Sequence, residues 1–445
     1  MDTLPLPPHP SLDNYRKRAK ELVAAANSPD DGAVRAWASG WLASLARLLG
    51  VEITPFVQGS FDRAVDRLEQ GVRQRAAELG AKGGRLSLAD AQFFIARAHS
   101  FESWAAFARH VEGITGNSAN RDFEAAADAV VGGDLVALKE LLSRRPELIR
   151  ARSAREHHVT LLHYVAANGV EDFRQKTPPN AVDITRLLLD AGAEVDATAD
   201  TYGGGWWQTA MNLLVSSAHP AIAGLQSALV EVLIDCGAAP NGVADDGSPL
   251  MTALAFGYEP AAETLVRRGA RVDGIIAAAA LGHLEKVRDM LVDATSLRPG
   301  VPLVAPRWLR LPDEPGVHIR FALAWACKFS RWRVAELMLD RGVDPASSDS
   351  DRMTALHWAS ANGGLDLMDR LIRLGAPLEV ENVWQGTVLD STAHFAAYMP
   401  VEGVDYLPVM ERLIDAGANA GVLASYPPGN AVIDELRRRT GVRPG

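Results

Sequence analysis

Cysteine is nearly absent from this chain, because only Cys236 and Cys327 occur among its 445 residues. So few thiols exclude a fold held together by disulfides, as in small secreted domains. Both lie among apolar residues of expected helices, so we expect two buried free thiols. The sequence also lacks the Cys-x-x-Cys and His-Glu-x-x-His motifs. It therefore predicts no metal site, and it gives no sign of a cofactor.

Long apolar runs and an excess of positive charge are missing as well. No segment approaches the ~18 uninterrupted apolar residues that are needed to span a bilayer. The start of the chain has neither the basic nor the apolar region of a signal peptide. The net charge of −10 disfavours a broad surface for nucleic acid or anionic membranes. We therefore expect a soluble cytoplasmic protein that binds neither.

What the sequence does contain is a repeated helix ending. Six apolar helical runs end in a glycine followed by Ala or Val, and these glycines are Gly192, Gly237, Gly269, Gly342, Gly375 and Gly417. Each glycine can supply the left-handed backbone that ends a helix, and the leucines before it can bury against a neighbouring repeat. The spacings are 45, 32, 73, 33 and 42 residues, so a basic period of ~33 residues is lengthened by insertions.

The most regular stretch is Met353-Thr-Ala-Leu-His-Trp-Ala-Ser-Ala-Asn-Gly363, which is followed by an apolar helical run from Leu365 to Leu374. It resembles one ankyrin repeat, with a Thr-x-Leu-His opening, a short helix, a Gly turn and a second helix. The resemblance implies an all-α fold, an ankyrin-repeat α-solenoid with short β-hairpin loops. We expect about seven to eight such units over residues 122–440.

Residues 1–118 show helical periodicity without this repeat and predict a small helical N-terminal domain or cap. The expected helices are Leu12 to Ala26, Gly32 to Leu49, Phe61 to Leu79, Leu88 to Ala98 and Trp104 to Val111. Ser11, Ser60 and Ser87 are the expected N-caps. Pro55, Gly59 and residues 80–84 are expected to separate helices, and residues 113–121 to form a linker.

The end of this N-terminal part, from Leu88 to Trp104, resembles the helical segment that precedes ankyrin arrays in a group of bacterial proteins. That subgroup implies a fold but no known reaction. The aromatic residues Phe93, Phe94, Phe101, Trp104 and Phe107 could line a ligand site, but a stripe of this kind is usually core.

Long segments between the repeat helices are where we expect function, because a plain scaffold would keep short hairpins there. They lie near residues 170–180, 200–207, 295–318 and 397–406, and the proline-rich third segment is not expected to be helical. Candidate residues for binding a ligand or partner are His157, His158, Lys176, Tyr202, Trp206, Trp207, Trp308, Arg310, Arg320 and Trp384. Arg174, Lys176, Arg310 and Arg320 could also gather around an anion.

Four residues are candidates for acid–base chemistry: His163, Tyr164, Asp390 and His394. Asp390 is expected near a helix N-terminus with His394 one turn later on the same face, a spacing that could orient a proton-transfer pair. The alternative for Asp390 is a helix cap. In the ankyrin pattern, histidines at the positions of His163 and His357 join adjacent repeats, so a structural role is the alternative for His163.

Two functions are compatible with these patterns. The first is a scaffold that binds a protein partner through the concave surface of the repeats. The alternative is an unrecognised enzyme or a binder of a small polar, sugar-like molecule, in a concave pocket closed by the inserted loops. Loops that converge on a pocket with ionisable groups would favour the second function.

Overall fold

The chain forms two compact units, Met1–Ala238 and Ala239–Gly445. The computed structural model describes residues 4, 6–7, 10–49, 53, 55–80, 85–99, 101–116, 118–155 and 157–444. Among these residues, the helices of the first unit are α1 Leu12–Ala26, α2 Ala33–Leu48, α3 Pro55–Gly80, α4 Leu88–Ala98, α5 Trp104–Gly116, α6 Ser118–Gly132, α7 Leu135–Arg144, α8 Ala181–Asp190, α9 Ala210–Leu214, α10 Ala218–Ile222 and α11 Gln226–Asp235.

Short 3-10 helices and one small sheet complete the first unit. The 3-10 helices span Pro146–Ile149, Leu161–Ala166 and Asp172–Arg174. Strands β1 Thr198–Ala199 and β2 Gln208–Thr209 pair antiparallel, with Thr198 opposite Thr209. The loop between these strands is one of the predicted insertions, so the sheet holds both of its ends together.

The second unit continues with helix pairs. Its helices are α12 Ser248–Ala255, α13 Glu259–Arg267, α14 Ile275–Ala280, α15 Leu284–Met290, α16 Pro315–Lys328, α17 Trp332–Asp340, α18 Ala355–Ala361, α19 Leu365–Arg373, α20 Val388–Tyr398, α21 Tyr406–Asp415 and α22 Ala431–Thr440, with 3-10 helices at Arg307–Leu309 and Ala420–Ser425. None of the helices in the described residues is long and apolar enough to cross a bilayer.

The predicted helix endings are confirmed. All six glycines of the repeated ending have positive φ angles, as at Gly192 with φ of 95°. After α8, the backbone NH of Ala193 donates to the carbonyl of Leu188 at 3.0 Å and that of Gly192 to Leu189 at 2.9 Å. These bonds satisfy carbonyls that the helix end leaves free. They require a left-handed backbone conformation at the glycine, which only glycine adopts readily. Leu188 is fully buried.

The N-terminal helices form the predicted hydrophobic core, with several differences in their bounds. Ser11 and Ser87 cap α1 and α4 as expected, and Ser87 forms a capping box with Asp90. The Ser60 cap is wrong, because α3 begins at Pro55 and passes through Gly59 and position 60. Proline fits the first turn of a helix, where its missing NH would be unpaired anyway.

The expected linker over residues 113–121 is also wrong. Helix α5 continues to Gly116 and α6 begins at Ser118, while position 117 lies outside the described residues, as do positions 81–84 of the expected break after α3. Of the aromatic stripe, Phe107 is fully buried and Phe94, Phe101 and Trp104 pack partly buried against the core. Phe93 is exposed instead.

Three further expectations need correction. The proline-rich segment is partly helical, because Arg307–Leu309 is a 3-10 turn and α16 begins at Pro315. The turn expected from Ala397 begins at Met399, since α20 extends to Tyr398. Both cysteines are free, but Cys236 is exposed and only Cys327 is buried.

Tyr406 closes the turn between α20 and α21 and gives a first testable prediction. Its buried hydroxyl donates to the carbonyl of Ala361 at 3.0 Å and accepts from the NH of Val401 at 3.1 Å. Tyr406→Phe should lower the free energy of unfolding by about 1–2 kcal/mol, because both backbone groups lose their partner. Urea unfolding measures the change. Tyr398→Phe, on an exposed side chain, is the control, and equal losses in the two variants would contradict the prediction.

Candidate functional site

A buried ionic cluster lies beneath the first inserted loop. Arg174, from the 3-10 turn Asp172–Arg174, is 1% exposed, and its guanidinium contacts Glu124 at 2.8 Å and Asp128 at 2.7 Å. Arg155 contacts Glu124 at 2.6 Å and Glu171 at 2.5 Å. Two acidic residues of α6 and the acidic residue of the loop are thus bridged by two arginines, and this network fixes the loop on the helix.

Glu171 joins this cluster to two of the predicted site residues. Its Oε1 lies 3.3 Å from Nε2 of His157 and accepts from the hydroxyl of Tyr164 at 3.4 Å. Burial alone would raise the pKa of Glu171, but the hydrogen bond from His157 and the charge of Arg155 lower it to about 2. Glu171 is therefore a carboxylate at neutral pH. Burial raises the pKa of Tyr164 well above its usual value, so its phenol stays protonated.

A cleft of about 530 Å³ opens above this cluster. Two predicted insertions converge on it, one through residues 169–172 and 175 and the other through residues 200–203. Arg155, His157 and the N-terminal residues His99 and His110 complete its polar lining. The cleft therefore brings together His157 and Tyr202 from the predicted set. Within the described part of the chain, no three His, Cys, Asp or Glu side chains are grouped to hold a metal ion.

His163 has partners on both ring nitrogens. Its Nδ1 lies 2.9 Å from the hydroxyl of Thr160 and accepts from the Thr160 NH at 3.3 Å, and its Nε2 lies 3.3 Å from the carbonyl of Gln208. The proton therefore sits on Nε2, which is the nitrogen that can donate to a carbonyl. The ring ties the opening of one repeat to β2.

The loop between β1 and β2 presents an exposed indole. Asp200 accepts from the NH of Gly205 at 2.8 Å and from the NH of Trp206 at 3.0 Å, which closes the tip of the loop. Trp206 is half-buried, whereas Trp207 is 63% exposed. The two indoles differ because successive side chains of an extended segment point in opposite directions.

A turn with the same chemistry occurs in the second unit. Asn382 is buried, and its Oδ1 accepts from the NH of Trp384 at 2.9 Å and from the NH of Gly386 at 3.0 Å. The indole of Trp384 is 69% exposed. Both turns are thus closed by an Asx side chain that binds two backbone NH groups, and each presents a tryptophan to solvent.

Trp308 lies on the proline-rich segment of the second unit. Its Nε1 donates to the hydroxyl of Thr252 at 3.4 Å, and its ring centroid is 6.0 Å from that of Phe256. The segment is therefore anchored on α12. Arg310 and Arg320 are exposed.

The structure does not pair Asp390 with His394. In the described residues, Asp390 accepts a hydrogen bond from the hydroxyl of Tyr426 at 3.0 Å, and no hydrogen bond joins it to His394. The ring of His394 is exposed and lies 5.1 Å from that of Tyr398. Proton transfer between the two candidates therefore has no geometric support.

The anion group is also revised. Lys176 and His158 are exposed, but Arg174 is buried and held by acidic residues, so it is not available to an anion. Sequence reasoning missed the contribution of Arg155, His99, His110 and Thr201 to the cleft. Thr201 lies within the predicted insertion near residues 200–207, but its side chain was not among the candidates. Arg155 is an isolated loop residue and the two histidines lie in another part of the chain, so no local pattern marks these three.

Comparison with known proteins identifies the helix pair that follows α17. Residues 351–383 match the ankyrin repeat family model. This ankyrin repeat contains α18 and α19, the same stretch on which the sequence resemblance rested. The fold class is therefore all-α with ankyrin repeats, as predicted, and ankyrin repeats are in general protein-interaction modules.

Two further comparisons show similarity to a curated protein and to a solved structure. Protein fem-1 homolog A of Danio rerio is 45% identical over 60 residues, which are 14% of this chain and 10% of that protein. The chain thus matches only about a tenth of the length of this curated relative. The crystal structure of the human ASB11 ankyrin repeat domain aligns with 68% of this chain and 99% of its own, at 19% identity and a TM-score of 0.32.

Proposed function

We propose that this chain is a cytoplasmic ankyrin-repeat protein that binds a protein partner through its repeats. The observation that carries the proposal is the pair of exposed tryptophans on closed turns, Trp207 and Trp384. Each turn is held by an acidic or amide side chain that accepts from two backbone NH groups. A fixed turn backbone loses less conformational entropy on binding than a mobile loop does, and tryptophan is enriched among residues that dominate interface energies.

The sequence supports a domain division, an origin and a class of partner for this protein. The N-terminal residues 1–118 would form a helical domain or cap, and residues 122–440 the ankyrin array. The helical segment from Leu88 to Trp104 resembles the one that precedes ankyrin arrays in a group of bacterial proteins, which supports a bacterial origin. The net charge of −10 favours a protein partner over nucleic acid or an anionic membrane.

The tagged full chain, used as bait in an extract of its source cells, tests this function. Trp207→Ala and Trp384→Ala, alone and combined, should weaken capture of the specific partner, with about a tenfold loss of affinity for each tryptophan that lies at the interface centre. Quantitative mass spectrometry identifies the partner, and titration of the purified partner measures the loss.

A matched control is available on α10. Ile222 is 86% exposed but lies outside the two closed turns, so Ile222→Ala should retain the partner. Capture that is equal for the wild type, the tryptophan variants and the Ile222 variant would show that the turns do not bind a partner. A bait that enriches no protein over the tag alone would contradict the function itself.

A further inference from the structure

Several buried polar atoms that lack a hydrogen-bond partner belong to residues that line the cleft of the first unit. Six of the described residues that line it carry such an atom. One of these atoms, His157 Nε2, still lies within ion-pair distance of the Glu171 carboxylate, at 3.3 Å. The other five are His99 Nε2, His110 Nε2, Arg155 Nη1, Glu171 Oε2 and Thr201 Oγ1. Buried polar atoms in folded proteins are nearly always hydrogen-bonded. Five of them around one cleft are donors and acceptors that a bound molecule can satisfy.

The five atoms include both donors and acceptors. Nδ1 of His99 lies 2.7 Å from the carbonyl of Leu4, so Nδ1 carries the proton and Nε2 presents a lone pair. Burial lowers the pKa of His99 to about 4, which keeps the ring neutral at pH 7. Glu171 Oε2 can only accept, because the acid is ionised, and Arg155 Nη1 can only donate. A matching ligand must therefore offer both kinds of group.

Charge narrows the class of ligand. Arg155 is already paired with Glu124 and Glu171, and Asp172 and Asp200 add negative charge to the lining. An anion would be repelled by these carboxylates, whereas a cation would leave the Nη1 donor of Arg155 unmatched. Neutral molecules avoid both penalties, and hydroxyl groups both donate and accept.

The remaining lining suits a compact ring. Leu4, Leu6, Phe101 and Val170 provide apolar walls, and Tyr202 adds an aromatic ring beside the polar atoms. Pockets with mostly apolar walls, a few placed polar groups and a volume of a few hundred cubic ångströms are typical of small-molecule sites. The C–H faces of a sugar or cyclitol ring can pack on such walls while its hydroxyls reach the polar atoms.

We propose that this cleft binds a neutral polyhydroxylated molecule, a sugar or polyol. Its hydroxyls donate to Glu171 and His99 and accept from Arg155 and Thr201. The five atoms are covered from bulk water, so the ligand reaches them as side chains at the cleft surface rotate. A free sugar and the terminal ring of a glycan share this chemistry.

Titration calorimetry with the full chain tests the site. The probes are D-glucose, D-galactose, D-ribose, myo-inositol and two oligosaccharides, maltotriose and cellotriose. We expect saturable binding of at least one probe, and binding of an oligosaccharide as well would indicate a glycan end. Thr201→Val should weaken that binding at least tenfold. This variant removes a hydroxyl without a partner in the described residues, so folding should be unaffected, unlike a change at Glu171 in the ionic cluster.

The matched control is Thr177→Val. The hydroxyl of Thr177 is also buried without a hydrogen-bond partner in the described residues, but Thr177 does not line the cleft. Its replacement should change the affinity less than twofold. The proposal is overturned if no probe gives a saturable isotherm, or if Thr201→Val binds as tightly as the wild type. Because Trp207 and Trp384 are not in the lining, these outcomes are independent of partner capture.

Discussion

Arg174→Met is expected to lower the free energy of unfolding of the first unit by about 3–5 kcal/mol. The guanidinium lies between Glu124 and Glu171, and it also hydrogen-bonds the backbone carbonyl of Glu124 at 3.2 Å. Methionine fills much of the same volume but leaves these carboxylates with a single arginine, Arg155, in a buried environment. Urea unfolding followed by tryptophan fluorescence measures the change.

Arg271→Met is the matched control. Arg271 also bridges two carboxylates, those of Asp245 and Asp273, at 2.8 Å each, but all three side chains are largely exposed. Exposed ion pairs contribute little because water screens them, so this variant should unfold close to the wild type. Similar losses of unfolding free energy in the two variants would show that burial is not the reason why the Arg174 cluster stabilises the unit.

His357 should make the stability of the second unit depend on pH. Burial lowers its pKa from 6.5 to about 4, and its Nδ1 accepts from the NH of Thr354 at 3.2 Å. Between these pH values the unfolded chain binds a proton that the folded chain does not. The contribution of His357 to the unfolding free energy is therefore fully present above pH 6.5 and is lost as the pH falls towards 4. The slope is up to about 1.4 kcal/mol per pH unit.

His357→Gln removes this titration, so its unfolding free energy should vary less between pH 7 and pH 5 than that of the wild type. Urea unfolding at several pH values gives the two slopes. Asp349 acts in the opposite sense, because burial raises its pKa to about 6 and the folded chain then holds its proton more readily. It is present in both proteins, so the difference in slope still reports His357.

Ser360→Ala separates titration from simple destabilisation. Ser360 lies on the same helix, and its buried hydroxyl donates to the carbonyl of Leu356 at 2.8 Å. Its loss should lower stability equally at each pH. A steeper or flatter profile for Ser360→Ala, or an unchanged slope for His357→Gln, would contradict the assignment.

Local patterns predicted the parts of the fold that depend on local physics. The repeated glycines end helices because a left-handed residue is needed there, and Ser11 and Ser87 cap helices because their hydroxyls satisfy free NH groups. In each case the requirement and the residue lie within a few positions of each other.

Expectations failed where tertiary packing overrode a local signal. Pro55 and Gly59 suggested a break, but α3 starts at the proline and passes the glycine because the helix buries residues such as Val65 and Val72. Arg174 was a candidate for binding an anion, but acidic residues of α6, 46 and 50 positions earlier, bind it in the interior. Such pairings are set by the folded chain and leave no local trace.

The candidate site was only partly predictable for the same reason. The insertions near 170–180 and 200–207 were identified by their length, and they do converge on the cleft. The contribution of His99 and His110 required the N-terminal helices to pack against the first repeats. The predicted pairing of Asp390 with His394 does not occur. Instead, the hydroxyl of Tyr426, from the end of the array, donates a hydrogen bond to the carboxylate of Asp390.

The anchoring of Leu4 has a consequence for the order of folding. Its NH donates to the carbonyl of Ala98 at 2.8 Å, and its own carbonyl binds His99, 95 positions away. Closing a loop of this length loses about 1 kcal/mol more chain entropy than closing one repeat of ~33 residues. Leu4 leaves the ribosome before α4 does, so its contacts wait for α4 to emerge. Leu4 should therefore attach late and detach early, opening one wall of the cleft before the rest of the unit unfolds.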